Sequence, residues 1–191
     1  MSRERVAEWI GPATSVGRRV VVTGMAGAGK STFSKALSVR TGLPLIHLDL
    51  HFWKPRWVAP SDDEWREKQR SLLAAGEWIA DGNYHATLDL RLERADTVVF
   101  LDTPWWTCAR RAFVRGLRSP PGAVMPDGCD DSAWRRMRDE WGIVWRVWRR
   151  RRSDRERELA IVSQYGEHVA LHVFRSKRSI REFLEGLERQ P

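Results

Sequence analysis

Short apolar runs alternate along the chain with longer segments in which apolar residues recur at helical spacing. Five runs have the length and apolar character of buried strands: 19–23, 43–49, 77–82, 97–102 and 168–174. Segments with helical periodicity lie between or after them: 31–40, 61–75, 105–118, about 132–151 and 179–189. This alternation predicts an α/β fold, in which a parallel sheet carries helices on both faces.

Three of the predicted strands end at a carboxylate, namely Asp49, Asp81 and Asp102. Open α/β sheets bind their ligands at the carboxyl ends of the strands, so these side chains are candidates for a functional site. Aspartate also ends strands and caps turns without any ligand. We therefore expect at least one of the three to be functional.

The segment 24–31, with the sequence GMAGAGKS, matches the phosphate-binding pattern G-x-x-x-x-G-K-[ST] at every required position. An apolar strand precedes it and a helical pattern follows, which is the order that a phosphate loop requires. Lys30 is expected to bridge the β- and γ-phosphates and Ser31 to bind Mg²⁺. The predicted nucleotide-binding residues are Gly24, Gly27, Ala28, Gly29, Lys30, Ser31 and Thr32.

Composition limits the remaining possibilities. The 191 residues suffice for one domain, and no apolar run is long enough to cross a bilayer. The N-terminus lacks a signal-peptide core, and Cys108 and Cys129 fit neither a disulfide framework nor a metal site, so we expect reduced thiols and a cytoplasmic protein. The net charge of +8 suits polyanionic partners, either nucleotide phosphates or nucleic acid.

Tryptophan is unusually frequent, with eleven residues in the chain. Four of them follow helical spacing on one apolar face: Trp134, Trp141, Trp145 and Trp148. Such a face packs against another element or stacks on nucleic-acid bases. We favour packing, because helical periodicity is the pattern that packing predicts.

The order of these motifs resembles the adenylate-kinase-like P-loop proteins known as DNA topology modulation proteins and, more broadly, the nucleotide and small-molecule kinases. The phosphate loop is shared with a very large superfamily, and other segments are narrower signals. These are HLD at 47–49 with FW at 52–53, DGNY at 81–84, LDLR at 88–91, and RAD at 94–96 leading into FLDTP at 100–104. The resemblance covers about residues 19–187.

The resemblance implies a P-loop NTPase fold, with three α/β/α layers around a five-stranded parallel sheet of order 2-3-1-4-5. Residues 1–18 would form an extension and 19–191 the kinase-like domain, with a substrate arm at about 50–76 and a short lid at about 118–132. In that order the third strand lies beside the phosphate-loop strand, so Asp81 would hold Mg²⁺ through water. Asp102, which follows the more apolar run, is the alternative.

The resemblance also implies an acceptor site on the arm. Asp49 would contact the acceptor or polarise its hydroxyl, and Arg91 would bind a phosphate or carboxylate of the acceptor. His51 is either a helper or an ordinary loop histidine. Phe52 and Trp53, together with Trp57, form either an apolar wall for a planar substrate or the hydrophobic underside of the arm.

Arginines of the predicted lid complete the candidate site. Arg110, Arg111, Arg115 and Arg118 share one predicted helix, and an arginine that arrives on closure stabilises charge on a transferring phosphoryl group. Related kinases take this arginine from the start of the lid, which indicates Arg115 and Arg118. A second cluster of arginines, at 149–152, has three possible roles. It is a solvated helix end, it supplies lid arginines, or it contacts nucleic acid.

The sequence therefore favours a phosphotransferase that uses ATP and Mg²⁺ to phosphorylate a small acceptor, with Lys30, Asp49, Arg115 and Arg118 as its catalytic residues. The segment DGNY stands where adenylate kinases have Asp-Gly-Phe-Pro-Arg, so AMP is a doubtful acceptor. The alternative is an ATP-binding regulatory protein that contacts DNA, although no DNA-reading motif is evident.

Overall fold

A computed structural model of the chain describes residues 16–117, 149, 153–165 and 168–187. The strands are β1 Arg19–Gly24, β2 Leu45–His47, β3 Trp78–Asp81, β4 Thr97–Leu101 and β5 Ala170–Phe174. The helices are α1 Lys30–Thr41, α2 Leu48–Phe52, α3 Asp62–Leu72, α4 Leu88–Leu92, α5 Trp105–Leu117, α6 Ser153–Gln164 and α7 Lys177–Gly186. Two single 3₁₀ turns, Pro55–Trp57 and His85–Thr87, precede α3 and α4.

The five strands form one parallel sheet in the order β2-β3-β1-β4-β5, which confirms the predicted fold class. The phosphate-loop strand β1 lies at the centre. Its residue Val22 is in register with Asp81 of β3 on one side, and Gly24 is in register with Leu101 of β4 on the other. The carboxyl ends of β3 and β4 therefore flank the phosphate loop.

Apolar side chains bury both faces of the sheet. On one face Phe33 of α1 packs against Phe174 of β5 and Phe183 of α7, with ring centroids 6.0 and 6.4 Å away. On the other face Trp78 and Val162 are among the buried residues that join α4 and α6 to the sheet. Covering a parallel sheet on both faces is what its apolar strands require.

Helix ends follow from local chemistry. Ser61 caps α3 by accepting a hydrogen bond from the Glu64 amide, and the Glu64 carboxylate accepts one from the Ser61 amide. Hydrogen bonds from Lys54 and Ser61 lower the pKa of Glu64 to about 2. At the other end of the fold Ser176 caps α7 by accepting from the Ser179 amide, so this helix begins earlier than its periodicity predicted.

One predicted strand boundary is wrong. The second strand ends at His47, and Asp49 lies in the first turn of the short helix α2. The apolar run at 43–49 continues across the boundary because Leu48 is buried within the helix. The predicted lid at 118–132, the tryptophan face at 134–148 and residues 1–15 lie outside the described residues. No helix within the described ranges has the length and apolar content to cross a membrane.

Candidate functional site

The phosphate loop connects β1 to α1 and lies against β4 and α5. Gly24 has φ +131°, and a Cβ there would come within 2.6 Å of the Leu101 carbonyl oxygen. Gly27 has φ +83°, and a Cβ there would collide with the Cys108 carbonyl. Only glycine fits these two positions, because side chains rarely adopt such φ values and no space remains for one.

Lys30 is the first residue of α1, and its side chain folds back over the loop. The Nζ atom donates to the carbonyl oxygens of Gly24, at 2.9 Å, and Met25, at 3.3 Å. Ser31 and Thr32 are exposed in the same first turn. The ammonium group and the amino end of α1 thus both lie at the phosphate loop, an arrangement suited to an anion.

Arg111 of α5 also contacts the phosphate loop. Its Nη1 donates to the carbonyl oxygens of Ala28, at 3.0 Å, and Gly27, at 3.3 Å, and the Thr103 hydroxyl donates to Ala28 at 3.2 Å. The sequence placed Arg111 on the lid helix but gave the closing role to Arg115 and Arg118. Arg115 lies on α5, whereas Arg118 lies outside the described residues.

Asp81 ends β3 beside the phosphate-loop strand and is only 4% exposed. Its Oδ1 lies 2.8 Å from Nδ1 of His47, at the end of β2. Its Oδ2 is buried and has no hydrogen-bond partner in the described part of the chain. A buried carboxylate oxygen without a donor is costly, so it is a place where a cation or a bound water would be stabilised.

Asp102, the alternative metal ligand, is held by two arginines. Nε and Nη2 of Arg155 donate to its two oxygens at 2.9 and 3.0 Å, and Nε of Arg175 donates to Oδ2 at 3.1 Å. Burial by itself raises the pKa of Asp102, but hydrogen bonds and charge from Arg155 and then Arg175 lower it more, so the pKa lies below its usual range. Both oxygens are therefore committed to side chains.

Asp49 and Tyr84 form a polar pair at the entrance to the arm. The Tyr84 hydroxyl donates to Oδ1 of Asp49 at 2.9 Å. Burial, followed by the charge of Asp49, raises the pKa of Tyr84, so this hydroxyl stays protonated and keeps donating. The Asp49 side chain is exposed and retains a second oxygen for another donor. His51 lies on the same short helix and is half-buried.

An aromatic cluster extends from this pair along the arm. The Phe52 ring lies 4.9 Å from the rings of Trp53 and Tyr84 and 5.1 Å from that of Trp65, and Trp53 lies 5.7 Å from Trp57. Trp65 is buried beneath the cluster, while Trp53 and Trp57 are half-buried. Phe52, which is itself half-buried, thus contacts both the buried Trp65 and the partly open Trp53.

The expectation that Arg91 contacts the acceptor does not agree with its position. The side chain is 1% exposed, and its guanidinium donates to the carbonyl oxygens of Gly82, at 3.0 Å, and Tyr84, at 2.7 Å. Burial lowers the pKa of Arg91 to about 10, against the opposing charge of Glu158. Arg91 is too deeply buried to reach a ligand, and it holds the DGNY segment in place instead.

A buried polar cluster that the sequence did not indicate lies next to Arg91. Glu158 of α6 is 2% exposed and accepts a hydrogen bond from Thr23, just before the phosphate loop, at 2.9 Å. Nδ1 of His85 lies 3.3 Å from the same carboxylate. Thr23 and Glu158 are 135 residues apart in sequence, so no local pattern signals their contact.

The other candidates can be placed only in part. Arg149 is exposed, Arg155 of the same basic region is the partner of Asp102, and the remaining residues of the cluster at 150–152 lie outside the described chain. Within the described ranges, no three His, Cys, Asp or Glu side chains converge in a way that would hold a metal by themselves. A cation at Asp81 would therefore need ligands from elsewhere, as Mg²⁺ does when it keeps waters and binds substrate phosphates.

The sequence matches no family model and no curated protein. Among solved structures, shikimate kinase from Bacteroides thetaiotaomicron is similar over 88% of this chain and 94% of that chain, with 16% identity and a TM-score of 0.49. A sugar kinase from Janibacter sp. HTCC2649 is similar over 88% and 90%, with 21% identity and a TM-score of 0.46. Shikimate kinase from Acinetobacter baumannii, solved with shikimate, is similar over 91% and 93%, with 16% identity and a TM-score of 0.49. Similarity at this level does not assign a substrate or a reaction.

Proposed function

We propose that this chain is a phosphotransferase that uses ATP and Mg²⁺ to phosphorylate a hydroxyl group of a small acceptor. The observation that carries the proposal is the buried Oδ2 of Asp81, which lacks a hydrogen-bond donor in the described chain and lies beside the phosphate-loop strand. Asp102, on the opposite side of the loop strand, has both oxygens bound by arginines. A cation site beside the loop is therefore best assigned to Asp81.

The residues fit both groups that this activity needs. The loop at 24–29 turns at three glycines with positive φ, Gly24, Gly27 and Gly29, and loops of this kind present backbone amides to phosphate oxygens. Ser31 and Asp81 would hold Mg²⁺, directly and through water respectively. When bound, the metal neutralises charge on the β- and γ-phosphates.

The chain's own residues then have separate tasks. Lys30 donates to two loop carbonyls, and phosphate oxygens would replace these as its acceptors, so the ammonium group stays hydrogen-bonded throughout. Asp49 accepts a hydrogen bond from the acceptor hydroxyl and orients its oxygen, while Tyr84 fixes the rotamer of the carboxylate. Arg91 acts indirectly, because it holds the segment that carries Tyr84.

Arginines on α5 would stabilise the charge that develops on the transferring phosphoryl group. Arg111 is already at the loop, and its guanidinium binds the carbonyls of Gly27 and Ala28. We retain Arg115 and Arg118 as candidates for arginines that approach on closure. We assign the activity to the cytoplasm, where a free thiol such as Cys108 stays reduced.

The proposal is tested by ADP release from the purified chain with Mg-ATP and a panel of hydroxyl-bearing compounds. We expect at least one compound to stimulate release, and Lys30→Ala to reduce the stimulated rate by about a hundredfold or more, as loss of a principal phosphate contact does. Thermal unfolding without ligand checks that the variant folds. If no compound raises wild-type turnover above the Lys30→Ala background, the chain is not a kinase for that panel.

No contact in the described residues favours the alternative, a regulatory protein that contacts DNA. The narrower resemblance to the DNA topology modulation proteins stays a prediction. DNA binding driven by the net charge of +8 would weaken steeply between low and physiological salt, because released counterions drive it. Titration of a labelled duplex at two salt concentrations measures this directly.

A further inference from the structure

We infer that the acceptor of the proposed reaction is an uncharged ring compound, whose hydroxyl is presented to Asp49 while its apolar face rests on the aromatic rings of the arm. The inference depends on the proposed function for the reaction, but the binding part stands on its own geometry. The chemical class of the acceptor is a hydroxylated ring without a phosphate or carboxylate group.

The carboxylate and the rings belong to one continuous surface. Asp49 and Phe52 are three residues apart in α2, a spacing that places them on the same side of a helix. Tyr84 joins the two, because its hydroxyl donates to Asp49 and its ring lies 4.9 Å from Phe52. Trp53 and Trp57 extend the same surface outward. A ring bound over these aromatic groups brings its hydroxyls to the carboxylate.

The backbone around Trp57 supports a binding role for this ring. Arg56 and Trp57 have φ values of 60° and 61°, in the left-handed region that residues other than glycine rarely occupy. A hydrogen bond of 2.9 Å from the Lys54 amide to the Val58 carbonyl closes this short loop. Strained backbone of this kind persists where the surroundings require it, and it clusters at ligand sites. Here the strained loop sets Trp57 against Trp53.

The charges of the described side chains around this surface favour an uncharged acceptor over an anionic one. Arg66 donates to Asp89 at 2.6 Å and to the Ala86 carbonyl at 3.1 Å, and Arg91 is buried against two carbonyls. Lys54 is paired with Glu64. Arg56 is exposed on the 54–58 loop, and its substitution below tests whether it attracts an anion. Asp49 repels a phosphate or carboxylate held within a few ångströms.

Matched pairs of compounds test the inference in the full-length chain. The pairs are adenosine and AMP, glucose and glucose 6-phosphate, and myo-inositol and its monophosphate. Binding is measured by quenching of tryptophan fluorescence and by equilibrium dialysis, and ADP release is measured with Mg-ATP. For at least one pair we expect the uncharged member to bind at least tenfold more tightly than its anionic partner, and to be the better acceptor by a similar factor in kcat/KM.

Three variants separate this site from a general loss of structure. Trp57→Leu should weaken binding of the preferred uncharged compound three- to tenfold, since it removes a stacking ring. Asp49→Asn should reduce the discrimination within the pair at least fivefold. Arg56→Gln is the matched control on the same strained loop and should leave binding of the uncharged compound within twofold. Thermal unfolding confirms that each variant folds.

The outcomes distinguish the inference from the proposed function. Selective binding of an uncharged member without any ADP release supports the site and refutes the kinase. Turnover that prefers the anionic member supports the kinase and overturns the inference. The inference is also overturned if no compound binds at millimolar concentration, or if Arg56→Gln weakens binding as much as Trp57→Leu does.

Discussion

The sharpest prediction concerns Asp81, which we replace with asparagine. The substitution keeps the size of the side chain and one oxygen for His47, whose Nδ1 lies 2.8 Å from Oδ1, but removes the negative charge. Because Asp81 is 4% exposed and its Oδ2 is buried without a partner in the described chain, the change alters the candidate cation site and little else. We expect function and stability to respond differently.

The size of the effect follows from the role of the carboxylate. A group that holds a metal through water typically contributes 10–100-fold to metal affinity, and a hundredfold loss corresponds to about 2.7 kcal/mol. The free energy of unfolding of the ligand-free chain should change by less than about 1 kcal/mol, because relief of charge burial is offset by an amide group that is itself unpaired. For a chain of 191 residues, this is a shift in Tm of less than about 4 °C.

Thermal unfolding with and without Mg-ATP reports both quantities at once. At a ligand concentration of about 100 times the wild-type Kd, Mg-ATP should stabilise the wild type by about 2.7 kcal/mol, or about 5–11 °C in Tm. With the Kd raised a hundredfold, the same concentration stabilises Asp81→Asn by only about 0.4 kcal/mol, or about 1–2 °C. ADP release should fall in parallel.

The matched control is Asp102→Asn on the other side of the phosphate loop. It removes the partner of Arg155 and Arg175, whose side chains are 40% and 69% exposed, so we expect a loss of only about 1–2 kcal/mol in the unfolding free energy. The stabilisation by Mg-ATP should remain. If instead Asp102→Asn folds but loses the stabilisation by Mg-ATP while Asp81→Asn keeps it, the cation site lies at the end of β4 and the assignment to Asp81 is refuted.

Three further predictions concern Arg111, Glu158 and the ionisation of Asp102. Arg111→Ala should raise the Kd of Mg-ATP about five- to tenfold, measured by calorimetry, because two loop carbonyls lose their common donor; an unchanged Kd would show that the arginine only packs. Glu158→Gln should lower Tm by about 4–12 °C, since about 2–3 kcal/mol is lost when the buried Arg91 loses its opposing charge and Thr23 its charged acceptor. Because the pKa of Asp102 is lower in the folded chain, its ionised carboxylate stabilises the fold. This stabilisation is fully present above the ordinary pKa of 3.8 and is lost as the pH falls through the lower folded-state pKa. The wild type should therefore lose more unfolding free energy than Asp102→Asn between about pH 4 and pH 2 in urea titrations, and equal losses would contradict the assignment.

Several features of the site could be predicted because they depend on contiguous residues. The glycine loop and its flanking strand and helix are specified within 19–41, where close backbone approach demands glycine. The capping box at Ser61 and Glu64 is equally local. The order of the strands came from the resemblance of the chain to a known family and not from periodicity, which carries no information about which strands are neighbours.

Other features were predicted wrongly or not at all, because they depend on contacts and backbone turns that a local sequence pattern does not show. Arginine side chains usually lie at the surface. That of Arg91 is buried because two carbonyls accept its hydrogen bonds and the charge of Glu158 opposes its own. Asp49 was assigned to a strand because an apolar run does not show where the backbone turns into a helix. Arg111 was one of four arginines on a helix, and only the packing of α5 against the loop distinguishes it from the others.

The sequence by itself determined that a phosphate-binding loop joins the first strand to the first helix, because that loop is local and its glycines are sterically required. It also placed carboxylates near the carboxyl ends of three strands. Only the tertiary structure decided how they differ: Asp102 receives Arg155 and Arg175, Asp49 receives Tyr84, and Asp81 keeps a buried oxygen without a donor in the described chain. These differences depend on side chains that are distant in sequence and meet only when the sheet is assembled.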